Sequence, residues 1–86
     1  MIQKSINVQL ANGLEARSVA MLVQVASQYE SQVYIQVEEK KVNAKSIMGM
    51  MTLALNSGET LEVEADGQDE EVVVQAIEDY LSGTTA

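Results

Sequence analysis

The sequence contains no cysteine and no histidine among its 86 residues. Without cysteine, disulfides, thiolate chemistry and cysteine-based zinc sites are excluded. Without histidine, the chain lacks the commonest general base, the commonest metal ligand and the only side chain that ordinarily titrates near neutral pH. Aromatic residues make up 3% of the chain and are all tyrosine, so the core must be aliphatic. We therefore expect a single small domain, 1–86, with no cofactor and no metal site.

Basic residues are scarce and unevenly placed. Residues 1–45 hold five basic and four acidic residues (+1), whereas residues 46–86 hold nine acidic residues and no basic one (−9), which gives a net charge of −8. Binding to nucleic acid needs the opposite sign over a continuous face, so we expect no direct nucleic acid binding. The acidic half suits steering toward a basic protein partner, and it is equally consistent with a solvated face.

Long apolar runs are also absent. No segment approaches the roughly 18 consecutive apolar residues that a membrane span requires. The first ten residues alternate and lack the apolar block of a signal peptide. We therefore expect a cytoplasmic protein with no membrane partner.

Four segments alternate between apolar and polar side chains, and three others have helical spacing. Alternation predicts strands over 2–10, 32–38, 40–44 and 59–66. Helical spacing predicts helices over 16–28, 46–53 and 69–81. The order is thus β-α-β-β-α-β-α. Because each strand has one apolar face, the helices should cover one side of a single sheet, as in an α+β two-layer sandwich.

The two outer helices each have a predicted apolar stripe. That of the first helix consists of Val19, Leu22, Val23 and Ala26. That of the last helix consists of Val72, Val73, Ala76, Ile77, Tyr80 and Leu81.

Four carboxylates could be misread as catalytic pairs. Alternation places Glu62 and Glu64 on the solvent face of their strand, and Glu70 and Glu71 fall in a helix first turn, where the helix dipole favours negative charge. These carboxylates therefore predict no enzyme or metal site.

Two stretches of the chain resemble the HPr family, the histidine phosphocarriers of the bacterial sugar phosphotransferase system. Residues 13–18 are Gly-Leu-Glu-Ala-Arg-Ser, where the family pattern is Gly-(Ile/Leu)-His-Ala-Arg-Pro. Residues 40–51, Lys-Lys-Val-Asn-Ala-Lys-Ser-Ile-Met-Gly-Met-Met, are similar to the Gram-positive branch, including its regulatory serine at Ser46. The resemblance extends over essentially the whole chain. It implies an open-faced sandwich with a four-stranded antiparallel sheet and three helices on one face.

The first stretch departs from the family at its most important position. Glu15 stands where the family has its phosphoryl-carrying histidine, and a carboxylate lacks the imidazole nitrogen that serves as nucleophile and leaving group. Ser18 replaces a proline that is favoured in a first helical turn. We therefore assign no catalytic residue. Arg17, which assists the phosphohistidine in the family, is retained. We expect it to pair with Glu15 or with a carboxylate of a partner; the alternative is a plain surface arginine.

The same departure is found in catabolite-repression HPr-like (Crh-type) proteins, which keep the serine and are similar to this sequence. The resemblance implies that HPr kinase/phosphorylase phosphorylates Ser46, and that the phosphoprotein is a corepressor of a LacI-type catabolite control regulator. Two alternatives stay open: a phosphocarrier of the sugar phosphotransferase system with a substituted active site, and a degenerate paralogue without a switch. Ser46 also suits an ordinary helix N-cap.

The short helix after Ser46 carries more apolar side chains than it can bury. We expect Ile47 and Met48 to form a docking surface for a partner, because methionine adapts well to interfaces. Met50 and Leu53 are expected in the core. Met51 fits either role and is included among the partner-binding residues. Gly49 either allows a close approach of another segment or is simply tolerated in a short helix.

Overall fold

In the computed structural model, the order of elements is the predicted one. The structure describes residues 1–9, 16–53 and 58–82. The strands are β1 (Ile2–Asn7), β2 (Gln32–Val37), β3 (Lys40–Asn43) and β4 (Thr60–Asp66). The helices are α1 (Ala16–Ser27), α2 (Ile47–Met50) and α3 (Glu70–Leu81). The strands form one antiparallel sheet in the order β1-β4-β2-β3, with the three helices on one face, as expected for the fold class.

The alternation in the sequence becomes the two faces of this sheet. On β4, Leu61, Val63 and Ala65 are buried, whereas Glu62 between them is exposed. The register aligns Ile35 of β2 with Val63, so apolar side chains of neighbouring strands form continuous rows beneath the helices. The side chains of these rows and the helix stripes make up the core.

Lys4 is the one polar residue in the apolar alternation of β1. Its register partner is Val63, which places Lys4 on the helix-covered face. The Lys4 ammonium lies 2.7 Å from a carboxylate oxygen of Glu78 on α3, so a charge at this sheet edge meets an opposite charge from the helical layer.

Strand β1 ends earlier than predicted, at Asn7. Val8 is buried outside the strand, and Leu10 lies outside the described residues.

The hairpin between β2 and β3 has a two-residue loop and no glycine. Val37 pairs with Lys40, so the turn consists of Glu38 and Glu39. Glu38 adopts a φ of 56°, the left-handed region that tight hairpin turns require and that glycine or asparagine usually supplies. The connection is therefore a tight hairpin turn with glutamate in the left-handed position.

The helix stripes are correct for α1 and partly wrong for α3. The four predicted residues of α1 are buried. On α3 the buried residues are Val73, Val74, Ile77 and Leu81. Val72, which was predicted to be in the core, is 56% exposed. Three consecutive valines fit two different stripes of period 3.6, and packing against the sheet buries only the second and third.

Nothing in the helices suggests a membrane span. Within residues 1–9, 16–53 and 58–82, no helix has both the length and the apolar character needed to cross a bilayer.

Candidate functional site

Ser46 is the N-cap of α2, as predicted. Its backbone is extended (φ −106°, ψ 113°), and its Oγ accepts a hydrogen bond of 3.3 Å from the Gly49 backbone N–H. The side chain is half-buried. This long hydrogen bond holds the hydroxyl only weakly.

The turn that precedes Ser46 is anchored to two other elements. The Ser46 backbone N–H donates to the Asn43 carbonyl oxygen at 3.0 Å, and the Lys45 N–H donates to Asn43 Oδ1 at 2.8 Å. The Lys45 ammonium donates to the Tyr29 carbonyl oxygen, 2.6 Å away, just beyond the end of α1. The turn before Ser46 is therefore tied to the end of β3 and to the segment that follows α1.

The apolar residues of α2 divide into an inner and an outer set. Met50 and Leu53 are buried at 0% and 6% exposure, which confirms their predicted place in the core. Ile47, Met48 and Met51 are 51%, 84% and 51% exposed. We call Ser46, Ile47, Met48 and Met51 together the α2 surface. It combines a hydroxyl that accepts one long hydrogen bond with exposed apolar side chains, and its role in partner binding stays a prediction.

Gly49 is not required by close packing. A Cβ added there would lie 3.5 Å from both Val42 Cβ and Ser46 Oγ, which is an ordinary van der Waals distance. Of the two interpretations of Gly49, simple tolerance in a short helix fits the described neighbours.

Arg17 is exposed in the first turn of α1. That turn is tied to the end of α3, because the Tyr80 hydroxyl donates to the Ser18 carbonyl oxygen at 3.1 Å. Glu15, which the sequence resemblance aligns with the family's histidine, lies outside the described residues. The pairing of Arg17 with Glu15 therefore stays a prediction.

On the open sheet face, the Glu64 carboxylate is held by two neighbouring side chains. Glu64 accepts hydrogen bonds from the Lys41 ammonium at 2.8 Å and from Gln3 Nε2 at 2.6 Å. These bonds, with the Lys41 one foremost, lower the pKa of Glu64. Among the described residues no cluster of three or more acidic side chains could hold a metal ion. The arrangement is therefore that of a polar protein surface.

One structured junction was not foreseen from the sequence. Asp69 is the N-cap of α3, but its carboxylate turns away from the helix and accepts hydrogen bonds from the Glu30 N–H (2.9 Å), the Ser31 N–H (2.9 Å) and the Ser31 hydroxyl. Ser31 is 1% exposed. The bond from the Ser31 hydroxyl, followed by that from the Glu30 N–H, lowers the pKa of Asp69. We call Ser31, Gly67 and Asp69 the Ser31–Asp69 junction.

Gly67 is part of this junction because of its size. A Cβ at Gly67 would lie 2.5 Å from Ser31 Oγ and 2.6 Å from Ser31 Cα, closer than any side chain can come. Ser31 and Asp69 are 38 residues apart, so no local pattern could have predicted the contact. In the sequence, the junction is marked only by Gly67 and Asp69 in the short connection between β4 and α3.

Comparison with known proteins now assigns the family. The family model of the PTS HPr component phosphorylation site matches residues 2–82. The chain belongs to the HPr family. An HPr-like protein Crh from Halalkalibacterium halodurans is 44% identical over 90% of this chain and 92% of its own length. A phosphocarrier protein HPr from Neisseria meningitidis is 40% identical over 96% of this chain and 93% of its own.

Solved structures agree with this assignment. A phosphocarrier protein HPr from Bacillus anthracis superposes with a TM-score of 0.89 at 40% identity, covering 93% of this chain and 95% of its own. The resemblance to the Crh-type subgroup is supported by the names of the curated relatives, although an HPr is almost as similar. The absence of histidine from this HPr-family chain is therefore the feature that bears most directly on its chemistry.

Proposed function

We propose that this chain is an HPr-like regulatory protein of carbon catabolite repression. In this proposal HPr kinase/phosphorylase phosphorylates Ser46, and the phosphoprotein acts as corepressor of a LacI-type catabolite control regulator. The observation that carries the proposal is the combination of an HPr fold without histidine and a half-buried Ser46, whose hydroxyl accepts one long hydrogen bond, beside the exposed Ile47, Met48 and Met51.

The chemistry of the α2 surface suits such a switch. A phosphoryl group on Ser46 would add about −1.5 to −2 units of charge next to exposed apolar side chains. An arginine of a partner could read the phosphate through a bidentate contact, while Met48 would supply apolar burial that the phosphate cannot. We expect either contact alone to give weak binding, so a partner would recognise the phosphate and the apolar side chains together.

A second candidate function is that of a phosphocarrier with a substituted active site. The family model and the HPr name of one relative favour it. The lack of an imidazole nitrogen anywhere in the chain opposes it. We expect no stable label when the chain is incubated with phosphoenolpyruvate and the general phosphotransferase enzyme. A stable phosphoryl label under those conditions would favour the carrier.

The kinase reaction is the most direct test of the switch. The full chain is incubated with HPr kinase/phosphorylase and ATP, and mass spectrometry locates the phosphate. We expect one phosphate on Ser46 and none in the Ser46→Ala variant. Labelling only at Ser5, Ser18 or Ser57, or no labelling at all, would contradict the proposal and leave the degenerate paralogue as the better account.

Corepressor action requires a second measurement. The regulator is titrated with phosphorylated and unphosphorylated protein, and we expect the phosphate to tighten binding by at least about tenfold, or about 1.4 kcal/mol. Met48→Ala should weaken the phosphorylated complex. Glu15→Gln should change its affinity by less than about 1 kcal/mol, because a single salt-screened charge contributes little. Equal affinity with and without the phosphate would refute the switch.

A further inference from the structure

All the sulfur of this chain is in methionine. The sequence has five methionines and no cysteine, so thioethers are the only sulfur groups that an oxidant can attack. Met48, Met50 and Met51 lie together in α2 and its C-cap, and the other two are Met1 and Met21. The oxidisable sulfur is therefore concentrated in the segment that directly follows Ser46.

The three methionines of this segment differ in exposure. Met48 is 84% exposed and Met51 is 51% exposed, whereas Met50 between them is 0% exposed and belongs to the core. An oxidant in solution can reach the first two side chains in the folded protein, but it can reach Met50 only when the domain opens. The fold thus separates two reactive methionines from one protected methionine within a single short helix.

Oxidation would change what the α2 surface offers to a partner. Residues 46–58 contain no charged side chain, so the apolar character of this surface depends on Ile47, Met48 and Met51. A methionine thioether is apolar and flexible, whereas its sulfoxide is polar. With oxygen on Met48 and Met51, Ile47 would be the one apolar side chain left on the α2 surface.

The hydrogen bonds that hold α2 do not depend on the thioethers. The Met50 backbone N–H donates to the Ser46 carbonyl oxygen at 2.9 Å. The Met51 backbone N–H donates to the Ile47 carbonyl oxygen, also at 2.9 Å. Because the side chains of Met48 and Met51 face water and not the core, a sulfoxide on either one should leave the domain folded.

We propose that Met48 and Met51 form a reversible oxidation site, at which a peroxide converts the α2 surface from apolar to polar and weakens the binding of a protein partner there. The effect on a partner rests on the proposed function, in which the α2 surface contacts the regulator. The oxidation itself requires neither the regulator nor phosphorylation of Ser46.

The reaction is a two-electron oxygen transfer from hydrogen peroxide to sulfur. A lone pair of the Met48 sulfur attacks one peroxide oxygen, so that a sulfur–oxygen bond forms and the oxygen–oxygen bond breaks. The departing hydroxide takes the proton of the transferred oxygen and leaves as water. Sulfur is oxidised to the sulfoxide and the peroxide is reduced to water. Methionine sulfoxide reductases reverse the change, with a dithiol that supplies the two electrons and becomes a disulfide.

The first test follows oxidation of the full chain alone. The protein is treated with dilute hydrogen peroxide, and mass spectrometry of its peptide fragments measures oxygen uptake at each methionine. We expect Met48 to react at least about tenfold faster than Met50, with Met51 between them. Circular dichroism and urea denaturation should show a folded protein once Met48 and Met51 carry oxygen. Equal rates at Met48 and Met50, or unfolding that accompanies oxygen uptake at Met48, would overturn the proposal.

The second test measures the effect on a partner. The phosphorylated protein is titrated with the LacI-type regulator before and after peroxide treatment, and we expect treatment to weaken binding at least about fivefold. The control is the double variant Met48→Leu, Met51→Leu, in which leucine keeps an apolar side chain of similar volume and has no sulfur. Whatever its starting affinity, peroxide should change it by less than about twofold. Met1 and Met21 are oxidised in both proteins, so an equal loss in both would overturn the proposal.

Reversal separates a regulatory site from damage. Methionine sulfoxide reductases with a dithiol should restore the affinity of the treated native protein, and a loss that persists after the sulfoxides are removed would contradict the proposal. The outcome for the proposed function is distinguishable. If the untreated phosphorylated protein does not bind the regulator, the proposed function is contradicted, whereas the oxidation site is contradicted only by the reaction rates or by unfolding.

Discussion

Ser31, which precedes β2 and contacts the start of α3, and Ser46, the N-cap of α2, are held in very different ways. Ser31, at the Ser31–Asp69 junction, is 1% exposed, and both its N–H and its hydroxyl donate to the Asp69 carboxylate. Ser46 is half-buried, and its hydroxyl accepts one hydrogen bond of 3.3 Å from Gly49. The first hydroxyl is committed to joining β2 to α3. The second makes one long hydrogen bond, so little in the fold depends on it.

The neighbouring glycines show the same contrast in packing. Gly67 has no space for a side chain against Ser31, whereas Gly49 has ordinary room beside Val42. The junction is thus a close-packed part of the structure, whereas the backbone beside the α2 surface has room for an added side chain. Each prediction below tests one aspect of this difference.

The largest effect is expected from alanine at the two glycines. Gly67→Ala should lower the free energy of unfolding by about 1–3 kcal/mol, because the new methyl group would overlap Ser31 and force the backbone apart. Gly49→Ala should leave it unchanged or raise it by up to about 1 kcal/mol, because alanine is favoured over glycine inside a helix. Urea denaturation with equal m-values measures both changes. A Gly49→Ala protein as destabilised as Gly67→Ala would remove the distinction between the two regions.

A smaller, pH-dependent effect is expected from Asp69→Asn. Hydrogen bonds from the Ser31 hydroxyl, the Glu30 N–H and the Ser31 N–H keep the pKa of Asp69 below its ordinary value of 3.8. Because the folded pKa is the lower one, the carboxylate stabilises the native state fully above about 3.8 and loses this effect as pH falls through the folded pKa. Asp69→Asn should therefore be less stable than the native sequence at neutral pH, with a difference that shrinks in acid.

The difference in stability between Asp69→Asn and the native sequence is measured from denaturation midpoints at pH values from neutral down to about 2. Glu62→Gln is the control, since it neutralises an exposed carboxylate of the open sheet face and should keep the native pH dependence. A difference between Asp69→Asn and the native sequence that stays constant through the acid range would show that the ionised carboxylate does not stabilise the junction.

Whether a structural feature of this molecule can be predicted from the sequence depends on how far apart along the chain the residues that determine it lie. The strands follow from alternation, since Leu61, Val63 and Ala65 are buried as their spacing requires. The N-cap at Ser46 follows from a serine before a short apolar segment. These features depend on neighbouring residues, so local patterns suffice.

Features set by packing between distant segments were not predictable. Val72, Val73 and Val74 fit two stripes equally well, and only contact with the sheet decides which valine is exposed. The carboxylate of Asp69 fits the start of α3 by sequence, yet it bonds to residues 38 and 39 positions away. The N-cap at Ser46 thus follows from a local motif, whereas the Ser31–Asp69 junction became visible only in the fold.

The smallest effect is expected from Ser46→Ala. N-cap substitutions cost about 0.5–2 kcal/mol, and the lower end applies here because the Ser46–Gly49 hydrogen bond is long and α2 has only four residues. We expect Ser46→Ala to lower the free energy of unfolding by about 0.5 kcal/mol. Urea denaturation of Ser46→Ala and of Ser31→Ala, compared side by side, should show the larger loss at Ser31, where an alanine leaves Asp69 without its hydroxyl donor. If Ser46→Ala were the more destabilised of the two, its hydroxyl would be a structural element, and loss of labelling in that variant could reflect a damaged fold. With the expected order, loss of labelling in a folded Ser46→Ala protein reflects the missing phosphoryl acceptor alone.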